Sequence, residues 1–408
     1  MSLSSRRAAA AALLHQHEAL LAYRPDVAIG SDDRVDDGVA SEAQAPIDET
    51  WAAWLRGLDD EHLAHLETAG VAGAWADAPP SLRTFVDDVI ATTALPALLD
   101  AVPCSPARRH ERPRKQAQID AFAQLVHARI GEPRRVVDVG SGHGHLTRAL
   151  AAALRRPTIG LERDPRLAEH ARRLAADDDR ADVDATFVVS DVLHDALVVD
   201  DGDCLVGLHA CGELGDIACR AVATSTSGAL VFVGCCLQKQ RAPVRTPLVD
   251  DGARLAKPLL GLSNLTTRDD GVEASRADNI AGRTRRIALR QLLSQDGVTV
   301  RVRAELEGLN RRRAHATLDE LVAAAYAHRA LPLPSSSRLA SAEREATALH
   351  AQWRRSMVPR MLLARVIEVF VALDRATFLH QHGCDVDVGV VFPADVSPRN
   401  IALVARRP

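Results

Sequence analysis

The chain of 408 residues is longer than an ordinary single domain and predicts two or three structural units, because domains usually hold about 100–200 residues. Its formal net charge of -4 excludes a protein that attracts polyanions through overall charge. Seven scattered cysteines without Cys-x-x-Cys spacing argue against a disulfide framework; they predict a reducing, cytoplasmic location and no metal site. No stretch approaches the roughly 20 apolar residues of a membrane span, so no membrane partner is expected.

Residues 1–114 are predicted to form an N-terminal helical region that contains a mobile acidic linker at 31–49. Helices are expected over about 1–30 and 81–100. Another is expected over 51–70, where apolar residues recur every three or four positions until Gly70, a suitable C-cap. Such helices bury little apolar surface alone, so we expect them to pack on later segments.

Residues 115–239 alternate between apolar strands and helices. Continuous apolar runs of this kind are typical of strands that are covered on both faces. The pattern predicts an α/β fold: a Rossmann-like, doubly wound, mostly parallel sheet. The expected strands are 135–140, 157–162, 185–191, 203–210 and 229–235.

The alternation stops over 240–364, which is predicted to be a long, mainly helical, Arg-rich insertion. Nine arginines are concentrated in it, at positions 283, 285, 286, 290, 301, 303, 311, 312 and 313. They favour either solvated helix faces or a basic surface for an acidic or nucleic-acid acceptor. Residues 365–408 are expected to return to the core as its last helix and a tight antiparallel hairpin of strands 385–393 and 400–408.

A glycine-rich loop follows the first strand of the core and carries the strongest local signal. It contains Asp138, Gly140, Ser141, Gly142 and Gly144. Glycines permit a sharp turn and a close approach of the backbone to a ligand. The Gly-x-Gly-x-Gly spacing differs from the Gly-x-Gly-x-x-Gly of dinucleotide-binding loops. With an acid two residues ahead, it favours a ligand that bears an ammonium group and a sulfonium rather than two phosphates.

Two further acids fall at the carboxyl ends of the next strands. Glu162 is placed to accept hydrogen bonds from both ribose hydroxyls of a nucleoside. Asp191, followed by Val192, is placed to accept from an adenine amino group. Because ligands of doubly wound sheets bind at this edge, the coincidence favours a ligand site over three unrelated helix caps.

Several motifs resemble the methyltransferase-like protein 25 family of Rossmann-like methyltransferases. They are the loop, KQAQIDAF at 115–122, LHACG at 208–212, GCCLQ at 234–238, RAELEGL at 303–309 and the C-terminal LDRATFLHQHGCDV and SPRNIALVA. The resemblance implies S-adenosylmethionine binding through Asp138, Gly140, Gly142, Gly144, Glu162 and Asp191. It does not identify the methyl acceptor.

His209 and Cys211 follow the fourth strand and are the candidate catalytic residues. The imidazole either orients an acceptor, removes its proton or is structural. Cys211, together with Cys235 or Cys236, is either a nucleophilic thiolate or an ordinary buried residue. The Asn/Asp-Pro-Pro-Tyr segment of adenine or glutamine amino-methyltransferases is missing at this position.

The sequence therefore predicts a cytoplasmic S-adenosylmethionine-dependent methyltransferase that acts on a macromolecule, with RNA favoured slightly over protein. A non-catalytic cofactor-binding or scaffold protein is the alternative. An NAD-dependent oxidoreductase is disfavoured by the spacing of the loop.

Overall fold

A computed structural model describes residues 2–25, 45–100, 113–178, 184–250, 253–267, 275–298, 300, 304–310 and 316–408. The chain divides into two compact units. The first consists of Met1–His15, Ala91–Thr267 and Ala364–Pro408, and the second of Gln16–Ile90 and Arg268–Leu363. Both units are therefore assembled from segments that are distant in the sequence.

The helices of the described residues are α1 (Leu3–Gln16), α2 (Glu18–Ala22), α3 (Glu49–Gly57), α4 (Asp60–Ala69), α5 (Pro80–Thr93), α6 (Pro113–Ile130), α7 (His145–Leu154), α8 (Pro165–Ala176), α9 (Leu214–Thr224), α10 (Lys257–Leu260), α11 (Arg276–Gln295), α12 (Leu318–His328) and α13 (Ser336–Gln381). The strands are β1 (Arg135–Val139), β2 (Thr158–Glu162), β3 (Ala185–Val189), β4 (Asp203–Cys211), β5 (Ala229–Cys235), β6 (Val244–Arg245), β7 (Leu255–Ala256), β8 (Asp385–Val390) and β9 (Ile401–Arg406).

The first unit is built on a seven-stranded sheet of order β3-β2-β1-β4-β5-β9-β8. Strands β1 to β5 pair in parallel, whereas β9 runs antiparallel to both β5 and β8. The predicted α/β, doubly wound sheet with an antiparallel terminal hairpin is thus confirmed. The strand order reverses between β1 and β4, and ligands of such sheets bind outside the carboxyl ends of the strands at this point.

Strands β1, β4, β5 and β9 are buried on both faces, which explains their continuous apolar runs. One face packs on α6 and α7 through residues such as Phe122, Leu150 and Val206. The other packs on α9 and the end of α13 through residues such as Leu205, Val222 and Leu373. Strands β1, β4 and β5 contribute residues to both cores.

The second unit is helical. One core of its described residues lies among α11, α12 and the first half of α13, and includes the fully buried Tyr326. In this unit the N-terminal helices interact with the later segment: Arg354 donates two hydrogen bonds to Glu67 of α4, at 2.9 and 2.8 Å. The four predicted segments do not coincide with the two units. Whether they act as separate domains stays a prediction.

Four predicted elements need correction. The helix predicted over 51–70 is two helices, because Leu58 is extended and Asp59 caps α4 by accepting from the N–H of His62. Gly70 is its C-cap, as expected. The first 30 residues contain two helices that separate at His17; residues 26–44, including most of the predicted linker, lie outside the described residues.

The other two corrections concern the helix predicted over 81–100 and the tight hairpin predicted for the last two strands. α5 ends at Thr93, well short of the predicted 100, since Pro96 disfavours helical backbone before it. The segment after it pairs with β8, where Leu98 N–H donates to Val390 O at 2.8 Å. The β8–β9 hairpin is not tight, because residues 391–400 connect its strands. Among the described residues, no helix has both the length and the apolarity needed to cross a bilayer.

Candidate functional site

The glycine loop (residues 138–144) leaves β1 at the strand-order reversal. Gly140, Gly142 and Gly144 all have positive φ, at 76°, 56° and 72°. An added Cβ at Gly142 would meet nothing within 4 Å among the described residues, so packing does not explain this glycine. At Gly144 the same atom would lie 2.4 Å from the Phe187 ring. Gly142 therefore adjoins open space and has a left-handed backbone that favours glycine, whereas Gly144 is also needed for packing against the Phe187 ring.

Glu162 holds the loop in place from the end of β2. Its Oε2 accepts from the Gly142 N–H at 2.9 Å, and its Oε1 accepts from the Asp164 N–H at 3.0 Å. The carboxylate is thereby oriented, and each oxygen retains capacity for another hydrogen bond. Ser141, in contrast, has a buried hydroxyl that finds no partner among the described residues and lies against Gly160.

Asp138 is buried beneath the loop, with 2% of its surface exposed. Its Oδ2 accepts from the hydroxyl of Thr147 at 2.7 Å. Burial raises the pKa of Asp138 to about 7, helped by the negative charge of Glu162, while the Thr147 hydrogen bond and the charge of Lys115 oppose the rise. A cation brought next to this carboxyl group would favour its ionised form.

Asp191 follows β3 and belongs to a turn rather than to the strand. Its oxygens accept from the Leu193 N–H at 3.1 Å and contact His194 Nδ1 at 3.0 Å. These hydrogen bonds, that of His194 foremost, lower the pKa of Asp191. The side chain is 35% exposed and accessible to a ligand, whereas the neighbouring Val192 is buried.

Three imidazoles lie around the start of α7, and the sequence interpretation did not consider them. The ring of His143 is 5.0 Å from that of His170 and 6.2 Å from that of His145, measured between centroids. Partial burial and then the two neighbouring rings lower the pKa of His143. The Gly-His-Gly-His sequence was visible, but the approach of His170 depends on α8 lying close to the glycine loop.

His209 lies where β4 bulges. Its φ is 60°, and the register against β5 shifts between Leu208 and Ala210. The Nε2 atom lies 2.9 Å from Oε1 of Gln118, a residue on α6 whose amide nitrogen donates to Val396 O at 2.9 Å. Burial, followed by the charge of Arg399, lowers the pKa of His209 to about 4. The imidazole is therefore neutral around pH 7.

Three thiols meet at the ends of β4 and β5, and we call Cys211, Cys235 and Cys236 the thiol cluster. The Sγ atoms of Cys211 and Cys235 are 3.1 Å apart, and all three sulfurs lie within 4.8 Å of one another. The prediction of no metal site rests on spacing along the chain. Such spacing does not detect ligands that two neighbouring strands bring together.

The C-terminal motifs support this end of the site. Arg375 of the LDR motif donates to Gly212 O at 3.0 Å and to Asp216 at 2.7 Å. Arg399 of the SPRN motif binds the Glu368 carboxylate and donates to Asn264 at 2.9 Å. Arg375 thus positions the loop after β4, and Arg399 joins α13 to Asn264, roles that the motifs alone did not reveal.

Residues 114–243 match a family model described as a methyltransferase domain. This assigns the glycine loop and the β4 edge to a methyltransferase domain. The model does not extend over the second unit or over β8 and β9.

Solved structures are similar over shorter stretches. YcgJ protein from Bacillus subtilis is 21% identical over 29% of this chain and 50% of its own, with a TM-score of 0.25. Magnesium protoporphyrin IX methyltransferase from Synechocystis PCC 6803 with bound SAH is 17% identical over 32% and 61%, with a TM-score of 0.25. This chain thus covers less than two thirds of either protein, and TM-scores this low do not establish a shared overall architecture.

Proposed function

We propose that this protein is an S-adenosylmethionine-dependent methyltransferase. The observation that carries the proposal is the open glycine at position 142, between the buried Asp138 and the oriented Glu162, at the strand-order reversal of the sheet. The methyltransferase domain at 114–243 supports the reaction class. The motifs LHACG, GCCLQ and SPRN support membership of the methyltransferase-like protein 25 family.

The site residues fit this cofactor in their donors and in their space. Gly140 and Gly142 let the backbone lie against it. The Glu162 carboxylate would accept from the ribose hydroxyls and Asp191 from the adenine amino group, with Val192 beside the adenine ring. Asp138 would face the ammonium group. We retain Ser141 and Gly144 as loop residues that maintain the shape of the pocket.

The bound cofactor supplies an already activated methyl group on a sulfonium, so the protein has mainly to position the acceptor and exclude water. His209 is the residue proposed to orient the acceptor at the end of β4. It stands at the strand-order reversal and has a neutral ring fixed by Gln118. Cys211 contributes less to turnover in this scheme, as part of the wall beside it.

For the acceptor we propose a macromolecule, RNA ahead of protein. The order rests on the Arg-rich segment, and its described part supports RNA weakly. Arg286 is paired with Glu305, and Arg290 is buried. Arg301, Arg303 and Arg311–Arg313 lie outside the described residues. The alternative of a cofactor-binding scaffold without catalysis keeps the same pocket and differs only in turnover.

Cofactor binding is tested by titration calorimetry of the full chain with S-adenosylmethionine, S-adenosylhomocysteine and NAD. Both adenosyl compounds should bind, and NAD should not. Asp191→Ala should weaken binding about 10- to 150-fold through loss of a charge-assisted hydrogen bond, and Glu162→Gln should also weaken it. Asp200→Ala is the matched control. Asp200 pairs with Arg135 and precedes the amino end of β4, at the opposite edge of the sheet from the proposed pocket. No heat with either adenosyl compound would refute the proposal.

The acceptor is tested with methyl-labelled cofactor and a cell extract separated into RNA, protein and small molecules. Label in RNA that requires Asp191 supports the proposed order, and label in protein reverses it. Label that enters small molecules alone contradicts a macromolecular acceptor. Binding without transfer into any fraction favours the scaffold.

A further inference from the structure

The thiol cluster is assembled by a local distortion of the sheet. Leu208 and Ala210 face opposite cores although they are two residues apart, because the bulge at His209 adds one residue to β4. The shift brings Cys211 into register with Cys235 on the neighbouring strand.

A second backbone distortion brings in the third thiol. Cys236 has a φ of 38°, which non-glycine residues rarely adopt. Positive φ at two non-glycine residues of one site, His209 and Cys236, costs on the order of 1 kcal/mol each or more. Strain of this kind is retained mainly at functional sites, where the surrounding structure holds it.

The distances suit one metal ion rather than a larger metal–sulfur cluster. Zinc–sulfur bonds of about 2.3 Å in tetrahedral geometry require sulfurs about 3.8 Å apart. In the thiol cluster the Cys211–Cys235 separation is 3.1 Å, and no pair exceeds 4.8 Å. Shifts of less than about 1 Å in side chains would therefore complete the geometry. A disulfide needs a much shorter separation of about 2.05 Å.

Positive charge acts on the thiol cluster at Cys236. Three thiolates on a divalent ion carry a net charge of -1, and the cationic side chains of Lys239 and Arg399 act electrostatically on Cys236. Arg375 holds the next residue, Gly212, through its carbonyl oxygen. Among the described residues, the group contains no fourth His, Asp, Glu or Cys ligand atom.

We propose that Cys211, Cys235 and Cys236 bind one Zn²⁺ ion and leave its fourth coordination position open. Binding forms three zinc–sulfur bonds and releases the three thiol protons to solvent. Three protein ligands with one open position are typical of catalytic zinc sites, whereas structural sites are closed by four. Thiolate ligands favour zinc over magnesium, calcium and manganese.

The position of the site suggests what the open coordination position does. It lies at the carboxyl ends of β4 and β5, the same edge of the sheet from which the glycine loop leaves β1. We infer that it takes a heteroatom of the methyl acceptor and lowers the pKa of that atom. This role rests on the proposed function, whereas zinc binding itself does not.

The experiment uses the full chain, stripped of metal and kept reduced, and titrated with Zn²⁺ against a competing chelator. We expect one ion per chain. Cys211→Ser and Cys236→Ser should each weaken binding at least about 100-fold. Cys384→Ser is the matched control, because Cys384 is buried elsewhere at the start of β8. Co²⁺ loaded in place of zinc should show thiolate-to-metal charge-transfer absorption in the wild type and not in the two cluster variants.

Circular dichroism checks that each variant is folded. If Cys211→Ser does not fold, zinc binding by Cys236→Ser is the test of the proposal. Zinc binding that is absent, or unchanged in a folded cluster variant, overturns the proposal. So does a Cys211–Cys235 disulfide that persists under the reducing conditions. Cofactor titration of the same samples separates the two proposals: zinc binding without S-adenosylmethionine binding would refute the proposed function and leave the metal site standing.

Discussion

At the scale of single residues, the buried carboxyl group of Asp138 gives the site a pH dependence. Burial raises its pKa to about 7, above that of the unfolded chain, so the folded state binds more protons between about pH 4 and 7. Without ligand, the contribution of Asp138 to the free energy of unfolding should therefore fall as pH rises through this window. A cofactor ammonium group pairs with the ionised form, so binding should release a proton below pH 7.

We predict that S-adenosylmethionine binds roughly tenfold more weakly at pH 5.5 than at pH 7.0. Calorimetry in two buffers of different ionisation enthalpy measures the affinity and the proton release together. Asp138→Asn should bind more weakly at pH 7.0 and show a much smaller pH dependence over this range. Equal affinity of the wild type at both pH values would mean that Asp138 does not face the ammonium group.

His209 allows the role of the imidazole to be separated from the conformation of the backbone. His209→Asn and His209→Ala should each lower turnover on the order of 10²-fold and leave cofactor affinity within a few-fold. Because φ is 60°, Ala should also lower the free energy of unfolding by about 1 kcal/mol, whereas Asn tolerates this conformation. In protein stripped of zinc, Cys211→Ser should have a smaller effect on turnover than either.

Single-turnover methyl transfer and thermal unfolding measure these two effects separately. With a pKa of about 4, His209 should produce no inflection in wild-type turnover between pH 5.5 and 8. Full activity in His209→Asn would show that the imidazole serves only to shape the bulge.

The acids at the strand ends could be predicted from sequence, because the carboxyl edge of a parallel sheet follows from the pattern of strands. Gln118 beside His209 could not, since the contact joins α6 to β4 across 91 positions. The different roles of Gly142 and Gly144 could not be predicted either. Both satisfy the same spacing, and only the position of the Phe187 ring shows that Gly144 is packed and Gly142 is open.

At the scale of elements, β9 is the strand that completes the sheet. It pairs with β5 over Ala229–Val233 and with the whole of β8, so it has neighbours on both sides. Ending the chain after residue 380 removes both strands and leaves β5 as an unpaired apolar edge. We predict insoluble protein, in contrast to a control that ends after Arg406 and keeps both strands. Solubility and cofactor binding are the measurements. If the protein truncated after residue 380 is soluble and binds the cofactor, the fold does not require β9.

Strands and helices of the sheet could be placed from periodicity, since two apolar cores fix them. The break between α3 and α4 could not be predicted, because the apolar spacing continues through it. The extended Leu58 and the Asp59 cap end the helical backbone without changing the apolar pattern of the sequence. Similarly, the SPRN motif suggested a turn, yet Arg399 and Asn400 anchor a longer connection through Glu368, Asn264, Arg365 and Phe392 O.

At the scale of the whole molecule, the second unit joins Gln16–Ile90 to Arg268–Leu363. Sequence patterns locate helices, but they do not tell which distant helices share a core. Glu67 joins the two sequence segments of this unit. It lies on α4 with its side chain 11% exposed, and its carboxylate binds Arg276 of α11 and Arg354 of α13. Burial opposes ionisation, yet the hydrogen bonds and charges of these arginines hold the pKa of Glu67 below its usual value.

Glu67→Ala should therefore lower the free energy of unfolding of this unit by about 3 kcal/mol, because two largely buried guanidinium groups lose their partner. Glu67→Gln keeps the shape and some hydrogen bonds and should cost less. Since the folded pKa is lowered, the contribution of Glu67 is present at neutral pH and is lost as pH falls below its unfolded value. Denaturant unfolding at pH 7 and pH 4 measures this, and the difference between wild type and Glu67→Gln should shrink at pH 4. Hydrogen exchange should show faster opening of α11 in Glu67→Ala; unchanged exchange there would mean that the two segments hold together without this carboxylate.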